Sequence, residues 1–155
     1  MLDAIMKEPD YDDPDVEERW CEDQRAVVTD YLGSQKVKHG SIGDWPAWHV
    51  APYASIWAIE SLVKPGAIGW WVVCGDLPTD YISSADLKSP QHPRRAMRIF
   101  AKNWLELVTA WKDGRELENT RIAGSSSHEE LAPLLESRAR LLMEWVGDES
   151  LWEER

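Results

Sequence analysis

His49 closes the segment Asp44-Trp45-Pro46-Ala47-Trp48-His49, and Cys74-Gly75-Asp76-Leu77-Pro78-Thr79-Asp80-Tyr81 carries two aspartates past the end of an apolar run. An imidazole titrates near neutrality and a carboxylate can orient it, so His49 with Asp76 or Asp80 has the side chains for general acid or base work. The plainer reading is structural. In it His49 is a hydrogen-bonded core or rim residue, and Asp76 and Asp80 order a turn through side-chain to backbone bonds. Trp45, Trp48 and Tyr81 frame the same stretch, and large amphipathic side chains of this kind serve as core or as binding anchors. The candidate binding residues are therefore Trp45, Trp48, His49, Asp76, Asp80 and Tyr81, with no catalytic residue assigned.

Other chemistry is weaker. Cys74 lies in an apolar run that raises a thiol pKa and quenches nucleophilicity, and with Cys21 it reads as a free, packed thiol. Two cysteines without regular spacing make no secreted disulfide framework. His39, His49, His92 and His128 are scattered, and neither C-x-x-C nor H-E-x-x-H occurs, so no metal and no cofactor is expected. Gly124-Ser125-Ser126-Ser127 has one glycine and no lysine in Walker position, which suits a helix cap better than a phosphate cradle. Arg94, Arg98 and Lys102 fall one helical turn apart and can grip an acidic group, although pairing with the chain's own acid or facing water is the simpler role.

The elements that would position these residues follow from periodicity. Asp13-Pro14-Asp15 opens a helix that Gly33 ends, with Val16, Trp20, Val27 and Tyr31 on one stripe and Cys21, Val28 and Leu32 beside them. The chain is irregular from Lys36 to Pro52, with Ala47 to Val50 extended. Tyr53 to Leu62 and Ile68 to Cys74 are β-branched and aromatic, and the turn residues from Val63 to Ala67 between them predict an antiparallel hairpin. Ile68 to Cys74 is apolar at nearly every position, so helices must cover both of its faces. Gly75 to Tyr81 reads as a loop, followed by a short edge strand from Tyr81 to Ser83. A second long helix begins near Ser89-Pro90 or Pro93 and ends at Gly114, its apolar stripe running from Met97 to Trp111. A polar connection leads to the capping-box spacing Ser127-His128-Glu129-Glu130. The last helix then buries Leu131, Leu134, Leu135, Leu141, Leu142 and Trp145, its regular part delayed by Pro133. This order predicts an α+β fold: a small antiparallel sheet of two to four strands packed by an N-terminal helix and two C-terminal helices.

The 155 residues fit one domain, 1–155, with residues 1–12 as an acidic, mobile N-terminal segment. The 17 basic and 28 acidic residues give 17 − 28 = −11, a sign that repels phosphate backbones and anionic lipid. Nucleic acid and membrane are therefore not expected as partners. Acid gathers at both ends, from Glu8 to Glu18 and from Glu144 to Glu154, where it would steer a basic protein or simply aid solubility. No signal-peptide pattern opens the chain, and the longest apolar run, Ala67 to Gly75, is half of what a membrane span requires. The expected location is the cytoplasm. Ten tryptophans stand against one phenylalanine, which composition cannot divide between core and interface.

The segments Trp20-Cys21-Glu22, Trp45-Pro46-Ala47-Trp48-His49-Val50-Ala51-Pro52, Ile56-Trp57-Ala58-Ile59-Glu60-Ser61 and Gly69-Trp70-Trp71-Val72-Val73-Cys74-Gly75-Asp76-Leu77-Pro78-Thr79-Asp80-Tyr81-Ile82 resemble a bacterial domain family of unknown function, DUF4826. The resemblance covers Val16 to Trp111. It implies a bacterial, cytoplasmic protein and offers no catalytic residue to carry over. The expected function is binding of another protein, in the manner of an immunity protein occluding a basic toxin. The alternative is a small enzyme with a site near His49, Asp76 and Asp80.

Overall fold

In the computed structural model, residues 9–114 and 128–153 are described. Residues 1–8 of the acidic segment and Ser127 of the capping box lie outside them. Asp13 starts the first helix: its Oδ1 accepts the Asp15 backbone N–H at 2.9 Å, and Pro14 takes the position whose missing N–H costs nothing. Helix α1 (Pro14–Ser34) buries Cys21, Val28, Tyr31 and Leu32. Val27, expected on that stripe, is 41% exposed, because a step of one residue turns it about 100° from Val28 around the helix axis.

Four antiparallel strands follow in the order β1 (Trp48–Val50), β2 (Ala54–Glu60), β3 (Ile68–Gly75) and β4 (Leu77–Ser83). The β2–β3 hairpin is the one that the sequence predicts, with Ala54 opposite Gly75 and Glu60 opposite Ile68. Its turn is tied by the Glu60 carboxylate, which accepts the backbone N–H groups of Gly66 and Ser41, each at 3.0 Å. Those donors hold the Glu60 pKa below its ordinary value. Gly75 links β3 to β4 at φ +141°, where an added Cβ would lie 2.8 Å from the Ala54 Cα. Only glycine fits such a close approach.

Strand β4 corrects the expectation of a loop through Tyr81, since the chain is already extended at Leu77. Pro78 is tolerated because β4 is an edge strand. Pro78, Asp80 and Ile82 alternate inward, and the buried Asp80 carboxylate is satisfied there. A short helix α2 (Ser84–Leu87), capped by Ser83, continues from β4.

Helix α3 (Pro93–Lys112) is capped by His92, whose Nδ1 accepts the Arg94 N–H at 3.0 Å. Helix α4 (His128–Gly147) is helical from His128, so Pro133 sits inside it and does not delay it. A proline in the second turn removes one intrahelical bond, and burial of Leu131 and Leu135 on either side of it outweighs that loss. Leu134, expected in the core, is exposed, and Leu141 is half-buried. A 3-10 turn, Glu149–Leu151, follows α4.

The sheet is the middle of three layers, and strand register decides which layer each side chain meets. Trp48, Ile56, Val73 and Asp80 form one row across the sheet, on the face packed by α3 and α4 through Met97, Phe100, Trp104, Leu135 and Leu142. His49, Ser55 and Cys74 form the next row. They face α1, where Trp57, Ile59 and Val72 pack on Val28, Tyr31 and Leu32. This is the α+β architecture that the sequence predicts, with the full four strands.

Candidate functional site

Register separates the residues that sequence proximity had grouped. His49 lies on the α1 side, its Nε2 3.7 Å from the Glu17 carboxylate and its ring 6.1 Å from that of Trp20. Asp80 lies on the opposite face of the sheet. Its Oδ2 accepts the Trp104 indole N–H at 2.9 Å and its Oδ1 accepts the backbone N–H of Tyr81 at 2.8 Å. Asp76 is exposed in the β3–β4 link, where its carbonyl accepts Arg138 Nε at 2.7 Å and its carboxylate meets Arg138 Nη2 at 3.4 Å. The three residues therefore do not converge. Asp80 works as an acceptor that fixes Trp104 against β4, and Asp76 as a tie between the β3–β4 link and α4.

The aromatic candidates divide in the same way. Trp48 is half-buried and stacks on Trp152 at 5.0 Å, beside Trp145; its indole N–H donates to the Leu151 carbonyl at 3.3 Å. It anchors the C-terminal residues to the sheet. Tyr81 makes edge contacts with Tyr31 and Trp70 at about 6 Å, closing the α1 layer.

Trp45 is different. Of the ten tryptophans it alone is exposed, at 54%. With Glu18, Glu22, Asp44 and Arg25 it lines a notch of about 440 Å³ between α1 and the segment before β1. The Arg25 guanidinium is committed to the backbone, donating to the Gly43 carbonyl at 3.0 Å and to the Ile42 carbonyl at 2.8 Å. That clamp holds the Trp45 segment against α1, leaving Glu18, Glu22 and Asp44, among the described residues, as the unpaired charges of the notch. The sequence marked Trp45 as a candidate and placed Glu18 in the N-terminal acidic run that could steer a basic partner, but did not mark Glu22. The i, i+4 spacing of Glu18 and Glu22 on the outer side of α1 is a visible signal, but only the fold shows that the Trp45 segment crosses beside them.

Both thiols are buried and free. Burial pushes Cys74 up to about 11 against the opposing effect of its Ser55 contact, and burial with the Glu17 charge pushes Cys21 to about 11. Neither is a ready nucleophile. Beneath α1, Ser55 Oγ accepts the Trp57 indole N–H at 2.9 Å and lies 3.3 Å from both Gln24 Oε1 and Cys74 Sγ. These groups satisfy one another. Among the described residues no set of three or more His, Cys, Asp or Glu side chains is placed to hold a metal ion, and no described helix is long and apolar enough to cross a membrane.

Arg94 leaves the basic stripe for a structural task. Its guanidinium grips both oxygens of Glu149, at 2.9 and 3.2 Å, and donates to the Val146 carbonyl at 2.8 Å. It also lies 5.9 Å from the Trp152 ring centre. The simpler reading of the stripe describes all three residues: Arg94 pairs with the chain's own acid, and Arg98 and Lys102 are exposed to water.

A four-stranded antiparallel sheet between one helix and a helix pair defines the class of domain. The chain belongs to the domain of unknown function family DUF4826, whose model matches residues 15–152. That match continues past Trp111 through α4, so the C-terminal helix and the Trp152 clasp are part of the family's domain. No curated protein and no solved structure matches the chain.

Proposed function

We propose that the chain is a protein-binding module that receives a basic partner on the acidic outer side of α1, with Trp45 as the anchor. In the finer form of this reading it is a cytoplasmic immunity protein that neutralises a bacterial toxin by direct contact. The observation that carries the proposal is the exposed Trp45 ring set among Glu18, Glu22 and Asp44. A rigid indole supplies large contact area at little entropic cost and is among the commonest interface hot spots. Carboxylates around it attract a cationic partner at long range and pair with its lysines or arginines on contact, and an arginine can also stack on the ring. Asp15, Asp23 and Asp30 extend the negative surface along α1, in a chain of net charge −11.

The test uses the product of a toxin-like gene adjacent to this one, titrated against the full chain by calorimetry. Trp45→Ala is expected to weaken the complex about 30-fold, the equivalent of roughly 2 kcal/mol. Glu18→Lys with Glu22→Lys is expected to slow association and flatten its salt dependence. Because Trp45 touches little core, its replacement should shift stability by less than about 0.5 kcal/mol. A complex indifferent to all three substitutions rejects this surface, and absence of any stoichiometric partner in the native host rejects the function.

A further inference from the structure

The outer seam between α3 and α4 has the opposite character to the α1 surface. Arg98, Lys102, Leu105, Thr109 and Ala110 follow one another along α3 at helical spacing and, with Met143 of α4, line a cavity of about 650 Å³. An adjoining cavity of about 880 Å³ shares Leu105 and Met143 and continues over Leu141. From Arg98 to Ala110 is twelve residues, or roughly 18 Å of helix at 1.5 Å per residue. The floor is apolar, and Met143 is 42% exposed on it, an unbranched, adaptable side chain of the kind found at helix-binding surfaces.

Charge on this seam is unbalanced in a telling way. The neighbouring cations are paired within the chain: Arg94 with Glu149, Lys112 and Arg140 with Glu136, Arg138 with Asp76. Among the described residues Arg98 and Lys102 have no such partner. Two carboxylates share the lining, Glu106 a turn beyond Lys102 and Glu144 in the adjoining cavity, so the cationic part of the groove is confined to the stretch of α3 from Arg98 to Lys102. Two unpaired cations one turn apart on an apolar groove, in a chain of net charge −11, match a ligand that carries acid along one side of an apolar stripe.

We infer that the α3–α4 seam is a second docking groove, and that its occupant is an acidic amphipathic helix of a partner protein about three turns long. Its apolar stripe lies over Leu105, Leu141 and Met143, and its carboxylates reach Arg98 and Lys102. This surface is distinct from the α1 notch and does not depend on it.

The probe is a synthetic amphipathic helix with leucines at i, i+3, i+4 and i+7 and glutamates on the flanking positions, titrated onto the full chain by fluorescence anisotropy. Binding is expected to fall at least tenfold in Arg98→Glu with Lys102→Glu, to be lost in Met143→Glu, and to be unchanged in Trp45→Ala. The Met143 ε-methyl resonance is expected to move on addition of the peptide. All the replaced side chains are exposed, so unchanged thermal midpoints verify the fold of each variant. The inference is overturned if the glutamate peptide does not bind, if it survives the charge reversal, or if a lysine-for-glutamate peptide competes with it for the Met143 methyl. It is equally overturned if the chain alone is a dimer that Met143→Glu dissociates, since the groove would then receive a second copy. Because Trp45→Ala tests only the acidic notch, failure of one proposal leaves the other standing.

Discussion

The two faces of the sheet are built to different standards. On the α3–α4 side, Trp71, Phe100 and Trp104 interlock with aliphatic residues from two helices, and the buried Asp80 carboxylate is fixed by an indole N–H. A clasp of Arg94, Glu149 and Trp152 closes that layer at its end. On the α1 side a single helix covers the sheet, and polar groups sit within its contact: Gln24, Ser55 and Cys74 share weak bonds of 3.3 to 3.9 Å. Where two helices pack, the fold gathers its apolar burial and cooperativity; where one packs, the outer surface is left to carry charge. The acidic α1 surface is thus presented by the thinner layer, and the groove by the layer that holds the domain together.

The sharpest way to break this comparison is Trp104→Ala. A cavity of that size costs about 3–5 kcal/mol, and loss of an indole donor to a buried carboxylate adds about 1–3 kcal/mol. The variant is expected to be largely unfolded in mild urea, as read by near-ultraviolet circular dichroism. Trp104→Phe keeps most of the volume and isolates the hydrogen-bond loss. A Trp104→Ala protein within about 1 kcal/mol of the parent would mean that the α3–α4 layer is not the principal core.

The corresponding change on the α1 side is Ser55→Ala. It leaves the buried Trp57 N–H without its acceptor, a loss of about 1–3 kcal/mol. It removes little volume, so the midpoint in urea should fall clearly less than in Trp104→Ala. A larger effect than that of Trp104→Ala would reverse the ranking of the two layers.

Much of this arrangement was legible in the residues. Asp13-Pro14 announced α1, the turn from Val63 to Ala67 announced the hairpin, and the doubly apolar Ile68 to Cys74 announced cover on both faces. Strand β4 was not, because Pro78 and Asp80 are strand-averse types that become acceptable only at a sheet edge and beside Trp104. The site was legible only in part. Trp45 stood out in its motif, but adjacency in sequence grouped it with Trp48 and His49, whereas strand alternation sends Trp48 and His49 to opposite faces. Glu18, Glu22 and Met143 gained meaning from packing between segments far apart in the chain, which one-dimensional periodicity does not carry.

The smallest effect concerns the ion pair of the clasp, whose counterpart on the α1 side is the looser His49–Glu17 contact at 3.7 Å. Hydrogen bonds from Arg94, and then its charge, hold the Glu149 pKa below its ordinary 4.5. A carboxylate that is more acidic in the folded chain than in the unfolded one favours folding in its ionised form. The contribution is therefore complete above about pH 4.5, and is lost as pH falls through the depressed value. Glu149→Gln should lower the thermal midpoint slightly at pH 7 and leave it unchanged well below pH 4, so that the two melting curves merge on the acid side. Part of the acid limb will remain in the variant, because Glu60 and Glu136 are shifted in the same direction. If the two proteins differ by the same amount at pH 7 and at low pH, Glu149 acts through shape and not charge. The α3–α4 layer would then be closed by the Arg94 bond to the Val146 carbonyl and by Trp152 stacking on Trp48, without help from the ion pair.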